Sequence, residues 1–202
     1  MEREWFDSES DIFVARAPGR LDVMGGIADY SGSHVLEMTL DRYLTVKCQR
    51  RRDDKLRVLS MEAQSEGLRP TVEISLSDLF RDGALKSYDE LREFFSRDPL
   101  SRWSGYVLGV FPVLMREGVV DRFPSGANLL VKSAIPMGAG ISSSAALEVA
   151  SMFSILACYG LKLEPIRIAK LCQIVENHIV GAPCGIMDQI TATLGLKNRL
   201  IP

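Results

Sequence analysis

Cysteine, histidine and surplus charge of either sign are scarce in this chain, and each scarcity removes a class of function. The four cysteines, Cys48, Cys158, Cys172 and Cys184, form no C-x-x-C pair, and only His34 and His178 are available to complete a zinc site with them. Free thiols in a reducing compartment are therefore a better reading than a disulfide framework or a zinc module. Cys158 and Cys172 fall within apolar helical patterns, where cysteine behaves as a small hydrophobe. Lys and Arg total 24 against 26 Asp and Glu, a net charge of −2, so no basic excess exists for gripping nucleic acid or an anionic membrane by counterion release. Long hydrophobic runs are also missing. Val149 to Leu161 is broken by Ser151 and Ser154 and falls short of the roughly 20 apolar residues that cross a bilayer. The acidic, charged start lacks the basic-then-apolar order of a signal peptide. No repeat or low-complexity tract is visible. The expectation is a cytoplasmic protein with a small-molecule partner.

What is present is enough apolar residue, 47% of 202 positions, to build a core without staples, since a chain this long buries on the order of 70% of its unfolded surface. The first half reads as strands. Asp11 to Ala17 is a short apolar run stopped by Pro18-Gly19, and Tyr43 to Cys48 alternates, with Leu44, Val46 and Cys48 on one face. Leu56 to Met61 and Thr71 to Leu76 continue the pattern, and the charged link 50–55 reads as a solvated hairpin tip. Ser87-Tyr-Asp-Glu90 is a capping box opening a helix. A second helical segment runs from about Trp103 to Glu117, with Pro112 predicting a kink or early bend. A strand at Ala127 to Ser133 follows, and from there the chain reads as helical to its end. Strands early and helices late suggest α+β rather than a regular parallel βαβ array.

The strand at 127–133 feeds Ile135-Pro-Met-Gly138-Ala139-Gly140-Ile-Ser142-Ser143-Ser144-Ala145. A glycine-rich loop between strand and helix is where unpaired backbone N–H groups converge on an anion, helped by the helix dipole. It is neither a Walker A loop nor G-x-G-x-x-G, because no Gly-Lys-Ser/Thr follows and the third glycine position is Ser143. A plain loop with a serine N-cap is the rival reading. The following helix, Ala145 to Cys158, is apolar nearly all round, with Glu148, Ser151 and Ser154 as a narrow polar stripe. A buried helix needs partners for its first N–H groups, which favours phosphate binding.

Further on, the helix opened by Pro165 carries Glu176 on the shoulder of its apolar face. Such a carboxylate is either half-exposed surface or a ligand for Mg²⁺, which takes one or two carboxylates plus phosphate oxygens. Gly181 to Gln189 is a second glycine-proline loop entering a short helix, where Asp188, taken alone, reads as merely a dipole-favoured acid. Near the N-terminus, Arg20 sits in a glycine-rich segment with Asp22 and Asp29. Arg20 suits either phosphoryl charge or a structural salt bridge, and Asp29 suits sugar hydroxyls.

Three segments, Ala17-Pro-Gly-Arg20…Asp29-Tyr30, Pro136-Met-Gly-Ala-Gly-Ile-Ser-Ser-Ser-Ala145 and Gly185-Ile-Met-Asp188-Gln189, together resemble the galactokinase branch of the GHMP small-molecule kinases, most nearly its arabinokinases, in order and spacing over essentially the whole chain. The resemblance implies an ATP-dependent sugar 1-kinase whose N-terminal domain, of the ribosomal protein S5 domain 2-like fold, has a mostly antiparallel sheet packed on later helices. It also implies that Gly138, Ala139, Gly140, Ser142 and Ser143 cradle the triphosphate, that Ser144 and Glu176 ligate Mg²⁺, and that Asp188 orients or deprotonates the anomeric hydroxyl. Arg20 would stabilise the transferring phosphoryl group and hold Asp188 in its charged form, Asp29 and Gly185 would contact the sugar, and Trp103 with Tyr106 would flank the adenine. That aromatic pair is equally plausible as core by its helical spacing.

Two departures shape these expectations. Galactokinases read Gly-Glu-His-Thr-Asp-Tyr where this chain has Gly25-Gly26-Ile27-Ala28-Asp29-Tyr30, so the residues gripping the far side of galactose are missing. L-arabinose lacks the CH₂OH of galactose, and a site without partners for that group leaves no polar atom stranded when it is absent. L-arabinose is therefore expected over galactose, with galactose or galacturonate as alternatives. Family members also carry a second, C-terminal domain, so 1–202 reads as the N-terminal ATP- and sugar-binding domain. An inactive sugar- and ATP-binding fragment or sensor is the alternative from another class, disfavoured by the intact Ser144-Ala145 pair, Glu176 and Asp188.

Overall fold

The computed structural model describes residues 5–136 and 138–202, without the Ile27 side chain. Strands dominate the first half: β1 (Phe13–Met24), β2 (Leu36–Arg50), β3 (Lys55–Ser60), β4 (Thr71–Ser75) and the short pair β5 (Phe80–Arg81) and β6 (Ala84–Leu85). Then come α1 (Tyr88–Ser96), α2 (Gly105–Leu108), α3 (Val110–Arg116), β7 (Ala127–Ser133), α4 (Ser143–Cys158), α5 (Pro165–Ile174), α6 (Met187–Leu194) and a closing β8 (Leu200–Ile201). Among the described residues the main sheet runs β1-β2-β7-β3-β4, with β8 added to the start of β2. Only β3 and β7 pair in parallel; the other neighbours are antiparallel. This is the expected α+β architecture.

One face of the sheet carries the core. Leu44, Val46 and Cys48 of β2 point into it, as their alternation predicted, while Tyr43 is exposed on the other face. Against them lies α4, which packs on β1 and β2 and is buried even along its polar stripe: Glu148, Ser151 and Ser154 are all fully buried. α4 is sandwiched between the sheet and α5, and its first residues, Ser143 and Ser144, are half-buried beneath an exposed loop at 138–140.

Four expectations need correction. Residues 50–55 do not form a hairpin tip, because β7 inserts between β2 and β3. Ala127 to Val131 are five consecutive buried residues, the pattern of an interior strand covered on both faces. The link instead wraps the start of β7: the Arg51 N–H donates to the Gly126 carbonyl (2.8 Å) and the Gly126 N–H to that of Asp53 (2.6 Å). Pro18-Gly19 does not stop the first strand. It sits at a register shift between Pro18 and Arg20 on an edge strand, where a missing N–H is tolerated. The Trp103–Glu117 segment is not one helix but a 3₁₀ turn (Arg102–Ser104), α2 and α3, with the break at Gly109 falling where Pro112 predicts one. Pro112 has no N–H for the carbonyl of Leu108, where α2 ends. Finally, the chain is not helical to its end, since β8 pairs with Glu37 and Met38.

The capping box at α1 forms as read: the Glu90 N–H donates to Ser87 Oγ (3.3 Å) and the Ser87 N–H to Glu90 Oε2 (2.8 Å). Ser87→Ala is expected to destabilise the protein by about 1 kcal/mol, a fall of about 2–4 °C in Tm by calorimetry.

Candidate active site

The loop after β7 and the register shift in β1 meet. Beyond Pro18-Gly19 the Arg20 N–H donates to the Ile141 carbonyl (3.1 Å), and Arg20 Nη1 donates to that of Gly140 (3.0 Å). Gly138 and Gly140 both have φ of +70°, a conformation that a side chain resists. Ser142, at φ +53°, holds the N-cap position of α4 in the same left-handed region, a strain of the kind that concentrates at functional sites. Its hydroxyl does not cap the helix; it donates to Asp188 Oδ2. The plain N-cap reading of the loop is thus excluded, and the first-turn N–H groups of α4 keep no intrahelical acceptor.

Asp188, in the first turn of α6, takes its other contact from Arg20, whose Nε donates to Oδ1 at 2.6 Å. Both side chains are largely buried, at 11% and 20% exposure, so the pair is poorly screened by solvent. Asp29 comes from a 3₁₀ turn (Gly26–Ser31), and its Oδ2 accepts the Met187 N–H (3.1 Å), which ties it to the residue before Asp188. Gly185 lies against the Asp29 carboxylate so closely that a Cβ there would sit 1.8 Å from Oδ2.

Glu176 is 7% exposed, not half-exposed, and stands on a π-helical turn (Val175–Val180) continuing α5, a distortion frequent at functional sites. Its carboxylate accepts from the hydroxyl of Ser144, from Cys184 Sγ (3.5 Å) and from Gln189 Nε2 (2.7 Å). Gln189 Nε2 also reaches Glu148 Oε2 (3.2 Å). Burial, with the Glu176 charge beside it, pushes the Glu148 carboxyl well above the ordinary range, so Glu148 holds a proton that it shares with Glu176. Burial also raises the Glu176 carboxyl, opposed by the hydrogen bonds from Ser144 and Cys184. The Ser144 hydroxyl and the Glu176 carboxyl are oxygen donors of the kind Mg²⁺ accepts, and they adjoin the phosphate-type loop, so these residues fit a Mg²⁺ ion that also takes phosphate oxygens.

Trp103 and Tyr106 line a cavity of about 190 Å³ together with Ser143, Ser144 and Leu147. Trp103 Nε1 donates to the Arg69 carbonyl (2.9 Å), which fixes the indole, and burial pushes the Tyr106 hydroxyl well above its ordinary value. The pair is therefore a cavity wall adjoining the serine loop, whereas Val107, Val110, Phe111 and Leu114 make the core.

Most of the expected residues thus fall into adjoining groups: Arg20, Gly140, Ser142 and Asp188; Asp29 and Gly185; Ser144 and Glu176; Trp103 and Tyr106, with Ser143 on the same cavity. Ala139 and Gly138 lie exposed at the loop's outer side. The Ile27 side chain, half of the reason for expecting L-arabinose, lies outside the described residues. Four residues escaped the sequence reading as site members. Glu148 was legible only as part of a stripe and Gln189 only as the neighbour of Asp188. Glu37 and Asp22, which face each other across β1 and β2, gave no local signal.

Comparison with known proteins agrees with this geometry. The GHMP kinases N terminal domain family matches residues 105–196, and the galactokinase galactose-binding signature matches residues 3–50. An L-arabinokinase of Arabidopsis thaliana is 46% identical over 97% of this chain and 21% of its own length. A Lactococcus lactis galactokinase solved with galactose superposes with a TM-score of 0.79 at 25% identity, covering 98% of this chain and 46% of that one. A Methanococcus jannaschii mevalonate kinase, at TM-score 0.73 and 18% identity over 95% of this chain and 55% of that one, shares the fold. The chain therefore spans about a fifth of the arabinokinase and just under half of the galactokinase.

Proposed function

Since the chain belongs to the GHMP kinases, in their galactokinase branch, we propose that it is the N-terminal, ATP- and sugar-binding domain of a sugar 1-kinase that prefers L-arabinose to galactose. The observation that carries the reading is the Arg20–Asp188 pair, held at 2.6 Å and one hydrogen bond from the glycine-serine loop through Gly140. In this reading Gly138, Ala139, Gly140, Ser142 and Ser143 receive the triphosphate on backbone N–H groups and hydroxyls, and the adenine enters the cavity walled by Trp103 and Tyr106. Mg²⁺ on Ser144 and Glu176 would neutralise charge on the bridging phosphates. Asp29, set by Gly185 and the Met187 N–H, accepts sugar hydroxyls. Asp188 takes the proton of the anomeric hydroxyl as its oxygen bonds to the γ-phosphorus and the bond to the β-phosphate oxygen breaks, releasing ADP. Arg20 balances the charge on the phosphoryl group in flight.

The sugar preference is supported by Gly26, which offers no side chain to a CH₂OH group. The arabinokinase relative points the same way. ATP consumption by the full-length protein with L-arabinose, D-galactose and D-galacturonate is the test. The expected kcat/KM is at least about tenfold higher for L-arabinose, the worth of one well-discriminated group. Equal or better turnover of galactose would sink the preference. A binding module without turnover is the alternative reading. Nucleotide binding without ATP consumption, measured on the same preparation, would favour it.

A further inference from the structure

Glu37 belongs to β2, and nothing in the catalytic reading uses it. Yet it is 1% exposed, and neither of its carboxyl oxygens accepts a hydrogen bond from an N–H or O–H donor, an expensive state for a carboxylate. Its Oε2 lies 3.2 Å from Arg20 Nε. That nitrogen carries a single hydrogen, and the hydrogen is given to Asp188 Oδ1 at 2.6 Å. Two carboxyls therefore face one N–H. Asp22 is the direct cross-strand partner of Glu37 in the β1–β2 register and is within hydrogen-bond reach of its carboxyl. Like charges in directly opposed strand positions repel, and a proton held between the two removes the repulsion and gives the buried oxygens a partner.

We propose that Glu37 is a positioning residue that acts through Arg20: while it holds a proton shared with Asp22 it leaves the Nε–H of Arg20 to Asp188, and when it loses that proton it competes for the guanidinium. The ionisable groups around it are Arg20 and Asp22 on β1, Asp188 on α6, and Asp29 and His34, which line the same cavity from the segment before β2. β8, paired with Glu37 along the backbone, contributes Leu200 and Ile201. Burial, opposed by Arg20 and reinforced by Asp22 and Asp188, pushes the Glu37 carboxyl from 4.5 up to about 7. The sign follows. Below about pH 7 the residue is neutral and the Arg20–Asp188 pair is undisturbed; above it the new charge loosens that pair and repels an incoming phosphate.

The consequence for turnover rests on the kinase reading, while the Arg20 contact does not, so two measurements separate them. In the full-length protein, kcat for L-arabinose is expected to fall roughly tenfold between about pH 7 and pH 8.5, as one ionisation requires. The ¹H–¹⁵N resonance of Arg20 Nε–H is expected to shift with a midpoint near pH 7. Both effects should vanish in Glu37→Gln, which keeps the shape and is neutral throughout. A Glu37→Gln enzyme with an unchanged alkaline fall would overturn the proposal, as would a wild-type Arg20 resonance that stays still over this range. That resonance decides the matter even if the variant does not fold. If no sugar is phosphorylated at any pH the kinase reading fails, and the Arg20 resonance still tests the role of Glu37.

Discussion

Asp188→Asn in the full-length protein is expected to lower kcat for sugar phosphorylation by about 10²–10⁴-fold, the range of a lost general base. The substitution is well placed to isolate chemistry from structure. An asparagine can keep its carbonyl toward Arg20 Nε and turn its amide to Ser142 Oγ, which is able to accept, so both contacts now made by Asp188 survive in kind. What is lost is the charge and the capacity to take a proton. The sugar KM should therefore change little and the Tm should stay near wild type. A variant within about tenfold of the wild-type kcat would mean that Asp188 orients the hydroxyl without removing its proton, because orientation alone is largely preserved by the amide.

How much of this was legible in the sequence depended on range. Features closed within a few residues were read correctly: the Ser87–Glu90 box, the strand at Ala127–Ser133 and the buried α4 each follow from local composition and period. Features that depend on which distant segments meet were not. The charged link 50–55 has every local mark of a hairpin, and only the return of β7 from beyond residue 126 shows why β2 and β3 are separated. Likewise a glutamate between Leu36 and Met38 looks like any solvent-facing strand residue until β1 and α6 bring Asp22, Arg20 and Asp188 to it. Glu176 was read as surface or ligand because a helical wheel cannot see the π-helical turn that, with Gln189 and Glu148, buries it.

The acidic residues gathered here, three of them expected and three missed, share a physical role. Asp22, Asp29, Glu37, Glu148, Glu176 and Asp188 would set six negative charges in adjoining positions against the Arg20 cation, at the mouth of a loop meant for a polyanion. Glu148 and Glu37 both have carboxyls raised by burial, and each has a partner carboxylate within hydrogen-bond reach, Glu176 and Asp22. The raised carboxyls of Glu148 and Glu37 lower the negative charge gathered around Arg20 and the loop.

The second large effect expected is at Gly185. A methyl group there would lie 1.8 Å from Asp29 Oδ2 and 2.1 Å from its Cγ, distances that no contact permits. Gly185→Ala must therefore displace the Asp29 carboxylate, whose short side chain cannot yield without giving up the Met187 N–H that holds it. Met187 precedes Asp188, so the disturbance falls first on the sugar side, whereas neither Gly185 nor Asp29 lines the Trp103 cavity. A displacement of about 1 Å in a positioning group costs on the order of 10²-fold. The variant is thus expected to lose about 10²-fold in kcat/KM for L-arabinose while its affinity for ATP, measured by calorimetry, stays within about twofold of wild type. Equal loss of nucleotide and sugar binding would show that residue 185 supports the fold as a whole. An unchanged kcat/KM would remove Asp29 from the sugar site.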